Sequence, residues 1–186
     1  MNLFDEIPEL KSERLILWPF VPEDAFYLKA MTEETEVYRY EPSFLYELKY
    51  EDKEQVIARM YEECFLTKES LLLAICRIEH PEELIGIAEF YNYEPEKQKA
   101  SIGYRLRKAY WNQGYASEIC PLMRDYLFQN TDVRKITAHI RKEHSASKHV
   151  AEQYGFICKW PDQQEDWGYE EPVIADKYIC KKEKEL

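Results

Sequence analysis

The sequence predicts a single α+β domain with an α/β mixed sheet, mostly antiparallel and flanked by helices. Three apolar runs between residues 71 and 107 are separated by short polar turns, which is typical of an antiparallel meander. The stretch from Ile102 to Phe156 then has the pattern strand, glycine turn, helix, strand, helix. The chain has 186 residues and no linker-like segment, so we expect one domain over residues 1–186 with a substantial core.

The first part of the chain predicts one strand and two helices. Glu13–Pro19 predicts the first strand, and residues 22–24 predict a helix start, because proline and acidic residues favour a first helical turn. Residues 32–50 are rich in glutamate and tyrosine without a clear period, so we expect irregular or short helical structure there. Residues 51–67 place apolar side chains at helical spacing and predict a second helix.

The meander supplies the next three predicted strands. They are Leu71–Glu79, Leu84–Tyr93 and Lys99–Arg107. Predicted turns at residues 80–83 and 94–97 join them, and each turn contains a proline among charged residues. Because these connections are short, neighbouring strands should run antiparallel.

The rest of the chain predicts two helices and three strands. In order, we expect a glycine turn at Tyr110–Gly114, a helix from about Tyr115 to Gln129, a strand at Val133–Ile140, a helix at Ser145–Tyr154 and closing strands at Phe156–Trp160 and Pro172–Lys181. Pro121 lies inside the first of these helices and should remove one hydrogen bond. Gly155 is the expected stop of the second helix, and Asp162–Glu171 is an expected acidic, aromatic loop.

The formal net charge of −11 is unevenly distributed. Residues 97–148 contain eleven Lys and Arg against four Asp and Glu, a balance of +7, so the rest of the chain carries −18. A basic centre in an acidic protein fits a polyanionic ligand in the centre and a cationic partner at the surface. The alternative is that these charges form solvated faces, because asymmetry in sequence need not become asymmetry in space.

Composition and cysteine usage argue against several classes of protein. No run of 18 apolar residues occurs, and the first residues lack a signal-peptide pattern, so we expect no membrane span or export. The five cysteines are far apart, which predicts reduced thiols in a cytoplasmic protein. Overall acidity is unfavourable for nucleic-acid binding. The four histidines lack metal-ligand spacing, so no metal is expected.

The turn that ends at Gly114 predicts a site for a phosphorylated ligand. A strand, a short turn and a helix present free backbone N–H groups at the helix start, and such groups bind phosphate. The chain carries neither Gly-x-x-x-x-Gly-Lys-Ser/Thr nor Gly-x-Gly-x-x-Gly at this turn. Gly114 alone is also consistent with an ordinary turn glycine, and a nucleotide-binding protein is a remoter alternative.

Six segments, in their order along the chain, resemble the GNAT N-acetyltransferase superfamily. They are Ser12–Leu17, Val21–Ala25, Ile102–Tyr104, Tyr110–Glu118, Ser147–Phe156 and Asp176–Tyr178. Within the superfamily they look like the branch of ribosomal-protein-alanine acetyltransferase-like enzymes. The resemblance covers nearly the whole chain, and it implies an enzyme that uses acetyl-CoA as co-substrate to acetylate a primary amine.

The resemblance also implies where acetyl-CoA binds, in a gap between two splayed strands of the sheet. The backbone amides of six residues would hold its pyrophosphate: Asn112, Gln113, Gly114, Tyr115, Ala116 and Ser117. Backbone groups near Tyr104, Leu106 and Arg107 would run beside the pantetheine and direct an N–H at the thioester carbonyl. Six basic residues lie closest to this cleft: Arg105, Arg107, Lys108, Arg141, Lys142 and Lys148. Of these, Lys148 is the one expected to meet a CoA phosphate.

Ser147 is the candidate acid that protonates the leaving thiolate. The tyrosine that many relatives use for this step would fall at Ala151, and the family's asparagine three positions before Ser147 is His144. His144 is expected near the pantetheine, with a surface loop as the alternative. For Ser147 the alternative is a cap at the start of its helix.

Glu89 is the candidate base for the acceptor amine. In the alternation Ile85, Ile87, Glu89, Tyr91 it shares a strand face with apolar residues, and burial there would raise its pKa. The alternative is that the strand twists and leaves Glu89 exposed.

The sequence leaves the acceptor open. The acidic loop Asp162–Glu171, with Trp167 and Tyr169, would steer a cationic acceptor such as a peptide amino terminus or a small amine, or it is a solvated loop. The departures at Ala151 and His144 keep a second class open. In that class the chain is a non-catalytic module that binds acyl-CoA or a protein partner on the same fold.

Overall fold

An eight-stranded sheet carries the fold in the computed structural model, which describes residues 1–183. The strands are β1 Leu10–Lys11, β2 Leu15–Trp18, β3 Ser70–Arg77, β4 His80–Glu94, β5 Lys99–Leu106, β6 Lys135–Arg141, β7 Ile157–Glu165 and β8 Val173–Lys181. The α-helices are α1 Ala25–Glu33, α2 Lys53–Met60, α3 Tyr115–Asn130 and α4 Ser145–Gln153. Short 3-10 turns lie at Pro22–Asp24, Tyr46–Leu48, Pro95–Lys97 and Lys108–Tyr110, and a π turn at Tyr61–Phe65 extends α2. The last three residues of the expected domain, 184–186, lie outside the described part of the chain.

The strand order is β1-β2-β3-β4-β5-β6-β8-β7, and its neighbours are antiparallel except for β5 and β6. The parallel pair is connected through α3, as parallel neighbours require a crossover. The predicted mixed, mostly antiparallel sheet is confirmed, and so is the predicted meander, which forms β3, β4 and β5.

Helices cover both faces of the sheet. β3 is continuously apolar because its alternate side chains enter opposite layers. Leu71, Leu73 and Ile75 pack in the layer that contains α3, whereas Leu72 and Ala74 pack in the layer that contains α1 and α2. No α-helix within residues 1–183 combines the length and apolarity that a membrane crossing requires.

Two predicted boundaries are wrong. Residues 80–83 begin β4 and do not form a turn, because Arg77 pairs with His80 across a two-residue turn. Residues 162–165 belong to β7, an exposed edge strand whose polar side chains give no apolar signal. The predicted helix at 51–67 is α2 followed by the π turn, and Asp52 caps its start by accepting bonds from two helical N–H groups.

The feature that positions the site is the early separation of β5 from β6. Their ladder has three rungs, and the last joins Ser101 to Thr137. The two hydroxyls of that rung are buried and lie 2.7 Å apart. Beyond it, residues 102–106 continue to pair with β4 while residues 138–141 continue to pair with β8. The expected splayed strands are therefore β5 and β6.

Candidate functional site

The separation of β5 from β6 opens a cavity of about 760 Å³. The main contributions to its wall come from seven parts of the chain: residues 89–92 of β4, residues 102–106 of β5, residues 138–141 of β6, the turn and helix start at 112–117, the start of α4 at 143–147, and two loops at 36–45 and 165–167. A cavity of this volume suits a small-molecule ligand. Its walls come from distant parts of the sequence, so only the folded chain assembles it.

Most of the predicted site residues lie in this wall. Both catalytic candidates, Glu89 and Ser147, line the cavity. So do eight of the predicted cofactor-binding residues: Tyr104, Leu106, Asn112, Gly114, Tyr115, Ala116, Ser117 and His144. The other three, Arg107, Gln113 and Lys148, lie outside the cavity wall. The functional roles of all these residues stay predictions.

The edge of β5 offers backbone groups to the cavity. The Arg107 N–H donates to the Ile85 carbonyl at 2.8 Å, towards β4. The Leu106 carbonyl accepts a bond from the Trp111 indole N–H at 2.7 Å, away from β4. Since alternate residues of a strand direct their backbone groups to opposite edges, Tyr104 directs its N–H and carbonyl towards the gap. The Arg107 N–H is engaged with Ile85 and is not free for a ligand.

The start of α3 forms part of the cavity wall. Asn112 and Gly114 adopt left-handed backbone conformations, with φ of 59° and 81°, so that the chain turns sharply into the helix. The first N–H groups of a helix have no intrahelical partner, and no described side chain caps this one. Arg14 supports the turn by donating to the Gln113 carbonyl at 3.0 Å and stacking over the Tyr115 ring.

The six basic side chains expected near the cleft are all ion-paired. Their partners are Glu47 for Arg105, Glu34 for Arg107, Glu36 for Lys108, Glu143 for Arg141, Asp162 for Lys142 and Asp176 for Lys148. The Lys148 ammonium is 2.5 Å from Asp176. Each of these six cations therefore already has a carboxylate neighbour.

The start of α4 brings His144 and Ser147 to the cavity. His144 occupies the capping position before Ser145, and Ser147 is the third residue of the helix, so Ser147 is not its cap. The His144 ring stacks on Tyr40 with centroids 4.5 Å apart, and burial lowers its pKa, which favours the neutral imidazole. Ala151 is also buried in this wall, and its methyl side chain has no proton to donate.

Another part of the cavity wall is built around Arg105. Its guanidinium bonds both carboxylate oxygens of Glu47, with Nη2 2.7 Å from Oε2. Its Nη1 lies 3.2 Å from Oε2 of Glu89. The Arg105 and Glu47 side chains are 2% and 0% exposed, and Glu89 retains 13%, so only Glu89 of this triad reaches solvent in the cavity.

Glu89 and Glu41 are carboxyl groups in a poorly solvated region. Burial raises the pKa of Glu89, while Arg105 opposes the shift and Glu47 reinforces it. Burial raises the pKa of Glu41 to about 8, again opposed by Arg105. Glu41 forms no ion pair within residues 1–183. The cavity therefore contains a carboxyl group whose charge is uncompensated when it ionises.

The face assignment of Glu89 depends on a β-bulge. The register of β3 and β4 shifts between Ile75 and Cys76, opposite Ile85. As a result Ile85 packs in the α3 layer and Ile87 in the α1–α2 layer. The expected alternation therefore fails at Ile85 but holds from Ile87 to Glu89. The alternative, in which the strand twists and leaves Glu89 exposed, is not found.

The loop at 36–45 and the segment at 165–169 are hydrogen-bonded to each other beside this part of the cavity. The Ser43 N–H donates to the Trp167 carbonyl at 2.8 Å, and the Ser43 hydroxyl donates to the same oxygen at 3.0 Å. The Tyr169 hydroxyl donates to the Glu41 carbonyl at 2.7 Å. Glu165 joins this wall by contacting the His139 ring at 2.5 Å and accepting from the Trp167 indole at 2.8 Å.

Sequence reasoning missed Glu41, Glu47 and the pairing of Arg105 with Glu47. Glu41 and Glu47 lie in the stretch at 32–50, which has no periodicity to indicate which side chains are buried. Arg105 was grouped with basic residues near the phosphates. Only its place on a strand indicates that Arg105 could be buried, because its partner Glu47 lies 58 residues away in the sequence.

Comparison with known proteins finds acetyltransferases. The model of the family described as acetyltransferase (GNAT) domain matches residues 14–157. The uncharacterised N-acetyltransferase YoaA of Bacillus subtilis is 29% identical over 152 residues, which are 80% of this chain and 82% of that protein. The ribosomal-protein-serine acetyltransferase of Escherichia coli is 32% identical over 78 residues, which are 42% of this chain and 44% of that protein.

A solved structure also has the same fold. It is a spermidine N-acetyltransferase from Vibrio cholerae in complex with CoA and spermine. The TM-score is 0.75 at 15% sequence identity, and the match covers 91% of this chain and 96% of the other. At this identity the likeness concerns the arrangement of the strands and helices.

The uncompensated Glu41 carboxyl predicts a pH-dependent stability. Its pKa of about 8 exceeds the ordinary value of 4.5, so the folded protein holds this proton more tightly than the unfolded chain does. Stability should therefore fall as the pH rises from 4.5 to 8. We expect Glu41→Gln to raise the Tm more at pH 8 than at pH 5 in differential scanning calorimetry. A Tm difference independent of pH, like that expected for the exposed control Glu96→Gln, would contradict this environment for Glu41.

Proposed function

Because this chain belongs to the GNAT acetyltransferase family, we propose that it transfers the acetyl group of acetyl-CoA to a primary amine inside the cavity between β5 and β6. Family membership makes the chain an N-acetyltransferase. The location of the reaction, the residues and the acceptor are the proposal. One observation carries it: a single cavity is lined both by the start of α3, whose first N–H groups have no intrahelical partner, and by carboxyl groups.

Acetyl-CoA would enter with its pyrophosphate at the start of α3. The backbone N–H groups from Asn112 to Ser117 suit an anion because the helix dipole and the unpaired donors act together. The pantetheine would follow the free edge of β5, where Tyr104 directs its backbone groups towards the gap. Arg107 has no part in this arrangement, because its own N–H is bonded to Ile85.

Acetyl transfer then requires three events that the cavity residues can perform. The acceptor must lose a proton, and Glu89 is the base; burial raises the pKa of its carboxyl and makes it a stronger proton acceptor. The tetrahedral oxyanion needs a donor, and the Tyr104 N–H is the candidate. The thiolate needs a proton as it leaves, and the Ser147 hydroxyl supplies it.

The acceptor should be a cationic primary amine, either a protein amino terminus or a small amine. Four carboxyl groups line the acceptor end of the cavity: Glu41, Glu89, Glu165 and Asp166. An ammonium ion entering this end would compensate Glu41 and Glu89, whose charges are poorly solvated. Relatives are named for acceptors of both kinds, a ribosomal protein and spermidine.

The anion-binding turn is tested by adding one methyl group. In Gly114→Ala the new Cβ would be held at a φ of +81° and lie 3.2 Å from the Arg14 guanidinium, so the turn must shift. We expect the Kd for acetyl-CoA, measured by titration calorimetry, to rise about tenfold, which corresponds to about 1.4 kcal/mol.

Gly155→Ala is the matched control for that substitution. Gly155 has a φ of +85°, and its nearest neighbour, the Cys180 sulfur, lies 3.9 Å away from the added Cβ. The control should lose a comparable amount of stability, because the backbone strain is similar, while its Kd for acetyl-CoA stays unchanged. Equal effects of the two substitutions on Kd would mean that the turn at Gly114 is not the phosphate site.

The chemistry is tested by CoA release from acetyl-CoA with a panel of peptides and small amines. We expect turnover with a primary amine, and we expect Ser147→Ala to lower kcat about 100-fold with the Kd for acetyl-CoA unchanged, because general acids contribute roughly 10²–10⁴-fold. Ser145→Ala, two residues earlier on α4, is the control and should keep its kcat. An unchanged kcat in Ser147→Ala would exclude Ser147 as the general acid. Acetyl-CoA binding without turnover of any amine would support a non-catalytic module instead.

A further inference from the structure

We propose that the buried Arg105–Glu47 ion pair is a positioning device. Glu47 fixes the Arg105 guanidinium, and Arg105 favours the charged form of the Glu89 carboxylate and directs it into the cavity. The proposal rests on the proposed role of Glu89 as the base and adds two positioning residues to that reaction. Neither Arg105 nor Glu47 is expected to touch the reacting atoms. Both act through the side chain of Glu89.

The geometry places Arg105 directly behind Glu89. Arg105 lies opposite Ile87 in the β4–β5 ladder, so Arg105 and Glu89 are diagonal neighbours on one face of the sheet. The guanidinium contacts Glu89 through Nη1 alone, at 3.2 Å. Its Nε and Nη2 are both occupied by Glu47. A guanidinium held at two of its nitrogens has little freedom, so it offers the third to Glu89 in a fixed direction.

Glu47 reaches this pair from another part of the chain. It lies in the 3-10 turn Tyr46–Leu48, which ends the loop at 36–45 that forms the acceptor wall. The ion pair therefore ties that wall to the strand that carries Arg105. An ion pair that only connected these two parts of the chain would not need a third, partly solvated carboxylate in contact with the guanidinium.

The charges around Glu89 have opposite effects on its ionisation. The groups that face Glu89 come from several elements: Arg105 on β5, Glu47 on the 3-10 turn Tyr46–Leu48, Glu41 on the loop at 36–45, Ser70 on β3, Cys64 on the π turn and Tyr91 on its own strand. Burial raises the pKa of Glu89, Arg105 lowers it, and Glu47 raises it. Removing Arg105 should therefore raise the pKa of Glu89, and removing Glu47 should lower it.

The test is the titration of the Glu89 carboxyl, followed by ¹³C NMR in glutamate-labelled full-length protein and assigned by its loss in Glu89→Gln. We expect Arg105→Gln to raise the midpoint and Glu47→Gln to lower it, each by about one pH unit or more, since a charge within about 4–6 Å shifts a carboxyl pKa by roughly 1–3 units. Arg105→Lys should recover part of the shift, because it restores the charge without the two-nitrogen contact to Glu47.

Two further variants keep the test decisive. Arg107→Gln is the control, because Arg107 pairs with Glu34 outside the cavity, and it should leave the midpoint unchanged. The double variant Arg105→Gln with Glu47→Gln removes both buried charges together, so it should remain folded if Arg105→Gln alone does not. In that double variant the midpoint should rise relative to Glu47→Gln, which again isolates the effect of Arg105.

The outcomes separate this inference from the proposed function. Unchanged midpoints, or midpoints that move in the same direction in both single variants, would overturn the positioning role. If the midpoints move as expected, the acidic limb of the kcat profile should move with them. Opposite midpoint shifts with an unmoved limb would uphold the action of the pair on Glu89 and reject Glu89 as the base.

Discussion

The parting of β5 and β6 after three shared rungs is the constraint on which the site depends. A continuous parallel ladder would pair the gap-facing backbone groups of Ile102 and Tyr104 and leave no space beside them. Because the ladder ends at Ser101 and Thr137, those groups need another partner, such as a ligand or water. The crossover helix α3 starts near the carboxyl end of β5, so the strand edge and the helix N–H groups face one cavity. Ligands commonly bind at this end of parallel strands.

The second organising principle is the pairing of charge. Residues 97–148 carry a sequence balance of +7, yet the basic side chains nearest the cleft are neutralised by carboxylates from other parts of the chain. Two parts of the cavity wall keep different polar groups. Backbone donors remain at the start of α3, and carboxyl groups remain around Glu89 and Glu41. An anionic cofactor would be complementary to the first part, and a cationic acceptor to the second.

Much of this arrangement follows from local sequence. The apolar runs and short turns indicated the meander, and the strand–glycine–helix pattern indicated the turn at Gly114, because strand alternation and helix starts depend on nearby residues. The triad of Arg105, Glu47 and Glu89 did not follow, because its members are up to 58 residues apart and one lies in a stretch without periodicity. The β-bulge near Ile85 was also missed, since it is defined by pairing with β3. The pairing of Lys148 with Asp176 likewise depends on the contact of α4 with β8.

Amide hydrogen exchange with and without acetyl-CoA shows whether the free edge of β5 and the start of α3 bind the cofactor. We predict that saturating acetyl-CoA slows exchange mainly at residues 102–106 and 112–118, while the interior of β3 is unchanged. Protection concentrated elsewhere, for example beside α2, would contradict it. So would saturated binding that leaves the exchange of both segments unaltered.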